Sequence, residues 1–129
     1  MTVRTAAITR RLALAMTCAA LASAAVPTAG LASSYCTPTG DFCQFAGLSN
    51  GRITLEMRTF SLRGRVTTCV RSPLRRTVCR SFALRLVRGL YTARAYWSAH
   101  YPRQGAGIYT VTWSQGGQRF GRPLTFRLS

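Results

Sequence analysis

From residue 52 onward, apolar and polar positions alternate with period two, the repeat of a strand that buries one face. Ile53, Leu55 and Met57 share one parity, and Thr54, Glu56 and Arg58 the other. The pattern then slips, because Phe60 and Leu62 carry the apolar parity. Such a slip predicts a bulge or a strand change near Thr59. Phe82, Leu84 and Leu86 alternate again, with Arg85 outward and Arg80 on the apolar parity at the strand's entry. Tyr91, Ala93, Ala95 and Trp97 form the next stripe, with Arg94 and Tyr96 on the opposite face.

The last third is the most regular. Gly105-Ala106-Gly107 leads into Tyr109, Val111 and Trp113. Gly116-Gly117 is a two-residue hairpin turn that places Trp113 opposite Phe120. Leu124, Phe126 and Leu128 finish on one parity, which Arg122 shares. Pro123 beside it marks an edge or a kink from which that arginine snorkels out. A second hairpin is expected around Ser72-Pro73-Leu74-Arg75-Arg76, since Cys69 and Cys79 are equidistant from Leu74 and Val70 faces Val78. No segment has the pattern of an amphipathic helix of three turns. The short strands, with turns at nearly regular spacing, predict an all-β fold: an immunoglobulin-like antiparallel β-sandwich of six or seven strands in one domain.

The run Gly107-Ile108-Tyr109-Thr110-Val111-Thr112-Trp113, the Gly116-Gly117 turn and the closing Leu124-Thr125-Phe126-Arg127-Leu128 resemble the final hairpin of bacterial secreted immunoglobulin-like domains. They are similar in particular to the copper-resistance sandwich proteins of the periplasm. The resemblance implies the sandwich fold. It does not extend to that family's copper sites: the Asp-Gly-His expected between the last two strands is absent, and His100 is the single histidine. The chain beyond the signal also resembles small exported proteins of GC-rich bacteria.

The first residues have a different character. Arg4, Arg10 and Arg11 form a positive region, Leu12 to Val26 an apolar run rich in Ala and Leu, and Pro27 with small residues follows. This is the anatomy of a secretory signal peptide. Cleavage fits after Ala24 or after Ala32; the second is preferred because Pro27 then precedes the cut, giving a signal over 1–32, a disulfide-looped segment over 33–50 and the main sandwich over 51–129. The apolar run is shorter than the roughly twenty residues a membrane span requires. An exported location, secreted or associated with the cell envelope, is the expectation.

Setting aside Cys18 in the signal leaves Cys36, Cys43, Cys69 and Cys79, an even set in a short exported chain, which reads as a disulfide framework. Three connectivities are possible. Local geometry favours Cys36–Cys43, closed by the turn formers of Thr37-Pro38-Thr39-Gly40-Asp41, and Cys69–Cys79 across the second hairpin. A zinc site is not expected, because the close Cys-x-x-Cys pairs of such sites are missing.

Charge changes the picture most. The chain holds 18 arginines, no lysine and two carboxylates, Asp41 and Glu56, for a net charge of +16. Removing residues 1–32 leaves 15 arginines against the same two acids, so the charge belongs to the folded part. One His, one Asp and one Glu leave little for hydrolysis, which needs a nucleophile, a base and an orienting group together. Asp41 falls in the small cysteine loop as a turn residue. Glu56 lies outward between Arg52 and Arg58 as an ion-pair partner, and His100 stands at a strand end. No nucleotide-binding fingerprint occurs, and no enzyme, cofactor, metal or small-molecule substrate is expected.

What remains is a basic surface. Guanidinium groups hold phosphate or carboxylate with two-pronged geometry. Arg71, Arg75, Arg76 and Arg80 cluster in sequence around the stapled hairpin, and Arg85 and Arg88, with Arg63, Arg65 and Arg94, extend the set. The expected partners are an anionic polysaccharide, a wall phosphopolymer or an anionic membrane surface. Sequence-specific nucleic-acid recognition is not expected, since no groove-reading helix is visible. The alternative is a structural or protein-interaction module of the envelope whose arginines serve solubility.

Overall fold

The structure is a computed structural model describing residues 32–129, so the expected signal lies, but for Ala32, outside the described residues. Nine strands and one short helix follow in order: β1 Ser33–Cys36, β2 Phe42–Ser49, β3 Arg52–Thr59, β4 Arg65–Arg71, β5 Thr77–Ala83, β6 Arg85–Val87, β7 Leu90–Tyr96, α1 Trp97–His100, β8 Gly107–Gln115 and β9 Gln118–Leu128. They form two antiparallel sheets, ordered β1-β2-β3-β7-β6 and β5-β4-β8-β9. With β1 set apart, β2, β3, β7 and β6 stand in the places of strands A, B, E and D of an immunoglobulin sandwich. Strands β4, β8 and β9 stand in those of C, F and G, and β5 extends the second sheet.

The core is built from alternate residues of the two inner faces. Leu55, Met57, Ala93 and Ala95 from the five-stranded sheet meet Val66, Val70, Tyr109, Val111, Trp113, Leu124 and Phe126 from the other, all buried. Tyr109 stacks on Phe126 with ring centroids 5.2 Å apart, and Trp97 meets both edge-on at 5.4 and 5.9 Å. Burying such rings supplies a large share of a small domain's stability. The Trp113–Phe120 and Val70–Val78 pairings lie in the expected register.

Both expected disulfides, Cys36–Cys43 and Cys69–Cys79, are present. Each joins register partners on neighbouring strands of one sheet. Each also lies on an outer face, since its neighbours in sequence are the residues that point inward. Neither disulfide bridges the sheets; mainly apolar side chains, joined by the buried Gln44 and Thr68, fill the space between them.

The strand count exceeds the expected six or seven because β1 and β6 are too short to show a period-two pattern, and because β2, within the segment expected as a disulfide loop, turns Gln44 inward and Phe45 outward. β6 also explains why the Phe82-Leu84-Leu86 stripe is not one strand. The chain leaves the four-stranded sheet at Ala83 and joins the other at Arg85. Leu84 bridges the two, its N–H donating to the Gly64 carbonyl at 2.7 Å, and Leu86 is exposed on the far edge. The slip near Thr59 is a strand end: β3 stops there, leaving Phe60 exposed and Leu62 packed against the core. Trp97 and His100, expected on a strand, form the single turn of α1, which Tyr101 follows back into the core.

The edge of β9 is covered. Ser33 Oγ donates to the Thr125 carbonyl at 2.7 Å and accepts from its N–H at 2.8 Å, completing a bond that a further strand would otherwise make. The expected kink falls at Gly121-Arg122-Pro123, opposite a register shift between Val111 and Trp113. Gly121 has φ +70°, and a Cβ there would come 2.5 Å from Phe42 Cε1, so only glycine fits the bend. Arg122 snorkels as expected, its Cζ 4.2 Å over the Tyr35 ring.

Candidate anion-binding faces

The register of the five-stranded sheet sets side chains in rows across its outer face. One row runs Cys36, Cys43, Arg58, Thr92, Arg85. The next, two residues along each strand, runs Ser34, Phe45, Glu56, Arg94. Adjacent strands lie about 4.8 Å apart, so Arg94 faces Glu56 directly across the β3–β7 pair while Arg58 lies two residues along the same strand.

Glu56 is the one ion-paired acid among the described residues. Its Oε1 accepts from Arg58 Nε at 2.5 Å, and its Oε2 from Arg94 Nε at 2.5 Å. Although it points outward, it is only 8% exposed. Half of each arginine side chain stays open to solvent (50% and 53%). Because both arginines bind through Nε, their terminal nitrogens remain for an outside anion. The trio carries net +1 and holds two guanidinium groups in place. The expected partners for Glu56 are therefore corrected in part: Arg58 pairs with it, whereas Arg52 instead covers the Tyr96 ring at 3.9 Å.

Three depressions share these residues. The first, about 370 Å³, is floored by Cys36, Cys43, Phe45, Glu56, Arg58 and Arg94. The second, about 330 Å³, is lined by Arg58, Arg88, Leu90, Thr92 and Arg94. The third, about 450 Å³, reaches Arg65, Ser81, Arg85 and again Arg94. The three adjoin across the strands as a segmented trough, with Arg94 lining all of them, Arg58 the first two and Thr92 the last two. Arg88 (φ 51°) and Gly89 (φ 81°) are the two central residues of the tight turn that joins β6 to β7, and this turn lifts Arg88 beside the trough.

The opposite face carries a second basic depression of about 610 Å³, lined by Arg71, Arg75, Thr77, Thr110, Thr112 and Arg119 around the Cys69–Cys79 bond. No carboxylate lines it. Arg71 lies opposite Thr77 on one side and Thr110 on the other, and Cys69 opposite Thr112.

The six arginines singled out from sequence therefore do not form one cluster. Arg71 and Arg75 share the depression on the four-stranded sheet, while Arg85 and Arg88 flank the trough on the other. Arg80 lies at the β5 edge, where its Nε donates to the His100 carbonyl at 3.2 Å. Arg76 is exposed in the hairpin turn and borders neither depression. Arg58 and Arg119 were not among them. Arg119 was legible, because pairing Trp113 with Phe120 turns the preceding residue outward. The neighbouring position of Arg94 and Glu56 depended on the β3–β7 register, which no local signal sets.

The aromatic residues near these arginines divide between core and surface. Tyr91 receives Arg63 over its ring at 3.6 Å, and Tyr96 receives Arg52. Tyr101 is buried and donates through its hydroxyl to the Thr68 carbonyl at 2.9 Å. Burial pushes its phenol well above the ordinary value, against smaller opposing effects from that hydrogen bond and the Arg80 charge. Among the described residues no three His, Cys, Asp or Glu side chains gather as metal ligands would.

The fold and these faces define a small, disulfide-stapled β-sandwich with arginine on both outer surfaces. No protein-family model, curated protein or solved structure matches the chain. Its two disulfides are compatible with an extracellular location.

Proposed function

We propose that the protein is an exported binding module without catalytic activity, whose five-stranded sheet engages a linear anionic polymer of the cell surface, an acidic polysaccharide or a wall phosphopolymer. The observation that carries this reading is the run of adjoining depressions bearing Arg58, Arg94, Arg88 and Arg85, with Arg65 of β4 at its margin and a single carboxylate, itself already clamped. The trough crosses the strands over a width of roughly 19 Å, at about 4.8 Å per strand. A furrow of that form suits an extended chain better than a flat array of headgroups. Neutralising several arginines at once releases counterions, so binding weakens steeply with salt.

The test is retention of the purified protein on a dextran sulfate resin across a salt gradient. Two variants probe the face: Arg85→Gln with Arg88→Gln, and Glu56→Gln with Arg58→Gln and Arg94→Gln, the latter removing the acid with its partners so that no buried charge is orphaned. The control replaces Arg63, Arg76 and Arg103, which lie outside the trough. Both face variants should elute at lower salt than the control. The competing reading, a structural or protein-interaction module kept soluble by arginine, draws support from those three peripheral residues and predicts elution that follows net charge alone. That result would overturn the trough as the site, and preferential retention on anionic vesicles over dextran sulfate would replace the polymer with a membrane.

A further inference from the structure

The two basic faces point in opposite directions. We propose that the protein bridges anionic polymers: the depression on the four-stranded sheet is a second anion site that takes a sulfate or phosphate group of another chain while the trough holds the first. This inference rests on the reading of the trough given above.

The second depression differs in kind. It gathers three guanidinium groups with the hydroxyl-bearing Thr77, Thr110 and Thr112, and no acid lines it. Hydroxyl and guanidinium donors around one concavity suit a compact oxyanion, whose several acceptor oxygens each need a partner. The scaffold beneath is held firmly. Cys69–Cys79 ties β4 to β5, and the hairpin turn is closed by Arg75 N–H to the Ser72 carbonyl at 2.9 Å and Ser72 N–H to the Arg76 carbonyl at 2.8 Å. Arg75 sits in that turn at φ 62°, a left-handed conformation that non-glycine residues seldom adopt. Arg119 enters from β9, so three separate segments converge there.

Geometry prevents one short segment from occupying both sites. The sheets lie back to back about 10 Å apart, so Arg58 and Arg94 extend away from Arg71 and Arg119; Arg65, at the margin of the trough, is the one trough arginine that shares the outer face of β4 with Arg71. The trough and the second depression share no lining residue. Two independent sites on opposed faces convert a binding protein into a cross-link, and simultaneous engagement multiplies retention on a polymer network without new contacts at either site.

A two-step capture assay tests this. Dextran sulfate is immobilised, the purified protein is loaded and washed at low salt, and soluble fluorescent dextran sulfate is then passed over it. The wild-type protein should hold the soluble polymer. Arg71→Gln with Arg75→Gln and Arg119→Gln should remain on the surface but capture at least about tenfold less, while the charge-matched Arg63, Arg76 and Arg103 control captures normally. Wild-type protein that binds the surface and captures nothing would overturn bridging and leave the trough reading intact, as would equal loss in the control. Failure to bind the immobilised polymer at all would overturn both.

Discussion

Replacing Glu56 with Gln should move stability and binding in opposite directions. The carboxylate accepts two short bonds from Arg58 and Arg94 and is 8% exposed. Hydrogen bonds to a charged group are worth about 1.5–3 kcal/mol each when shielded, and exposed ion pairs about 0.2–1. Half-exposed arginines place this pair of bonds toward the lower range. Gln keeps one acceptor but turns an NH₂ group toward the second guanidinium. The net cost is about 1.5 kcal/mol, which for a domain of this size lowers the melting temperature by roughly 6–12 °C. The same change raises the charge of the trio by one. At about 7 Å in a water-like medium that is worth about 0.6 kcal/mol toward a bound anion, close to a threefold gain in affinity. Thermal unfolding followed by circular dichroism measures the first effect, and titration with a short sulfated oligosaccharide well below the melting range measures the second. A variant that loses affinity along with stability would refute the reasoning. It would mean that the carboxylate's alignment of the two arginines outweighs the charge it removes.

Two further expectations follow from the fold. Replacing Cys69 and Cys79 with Ala should cost about 2.5 kcal/mol in the chain-entropy picture for so short a loop, read as a lower denaturant midpoint; an unchanged midpoint would show that the turn's own hydrogen bonds suffice. Stability should also fall as pH rises past about 10, because Tyr101 keeps its proton when folded while an unfolded tyrosine with an ordinary value releases it. Tyr101→Phe should remove that part of the alkaline loss, at a cost of about 1 kcal/mol at neutral pH for the missing bond to Thr68. An alkaline unfolding curve unaltered in the variant would refute the assignment.

Much of the architecture was legible because its signals are local. Tight turns fixed the Val70–Val78 and Trp113–Phe120 registers, and a hairpin's register follows from its loop. The cysteine pairs obeyed the same logic. What escaped is what depends on distant partners. β6 is three residues long and owes its place to pairing with β7, so no alternation could show it. Leu84 and Leu86 shared a parity with Phe82, yet the chain changes sheets between them. The arginines followed the same rule: neighbours along the chain, such as Arg76 and Arg80, diverge, whereas Arg58 and Arg94 meet at Glu56 because β3 and β7, remote in sequence, lie side by side. A charge cluster on a β-sandwich is a property of rows across the sheet, not of runs along the chain.

The placement of the two disulfides has a consequence for how the molecule comes apart and together. Each staple lies within one sheet, between residues close in the chain, and nothing covalent joins the layers. Loops of about ten residues close in well under a microsecond, so proximity favours the native pairs before the sheets have met, and every mispairing must reach across the β2–β3 hairpin. Correct pairing therefore does not depend on the sheets having assembled. Conversely, reduction should loosen a hairpin at a time and leave intact the layer-to-layer contact of Leu55, Met57 and Ala93 with Trp113, Tyr109 and Phe126. The sulfur in this protein braces its two outer faces, and the side chains packed between the sheets hold those faces back to back.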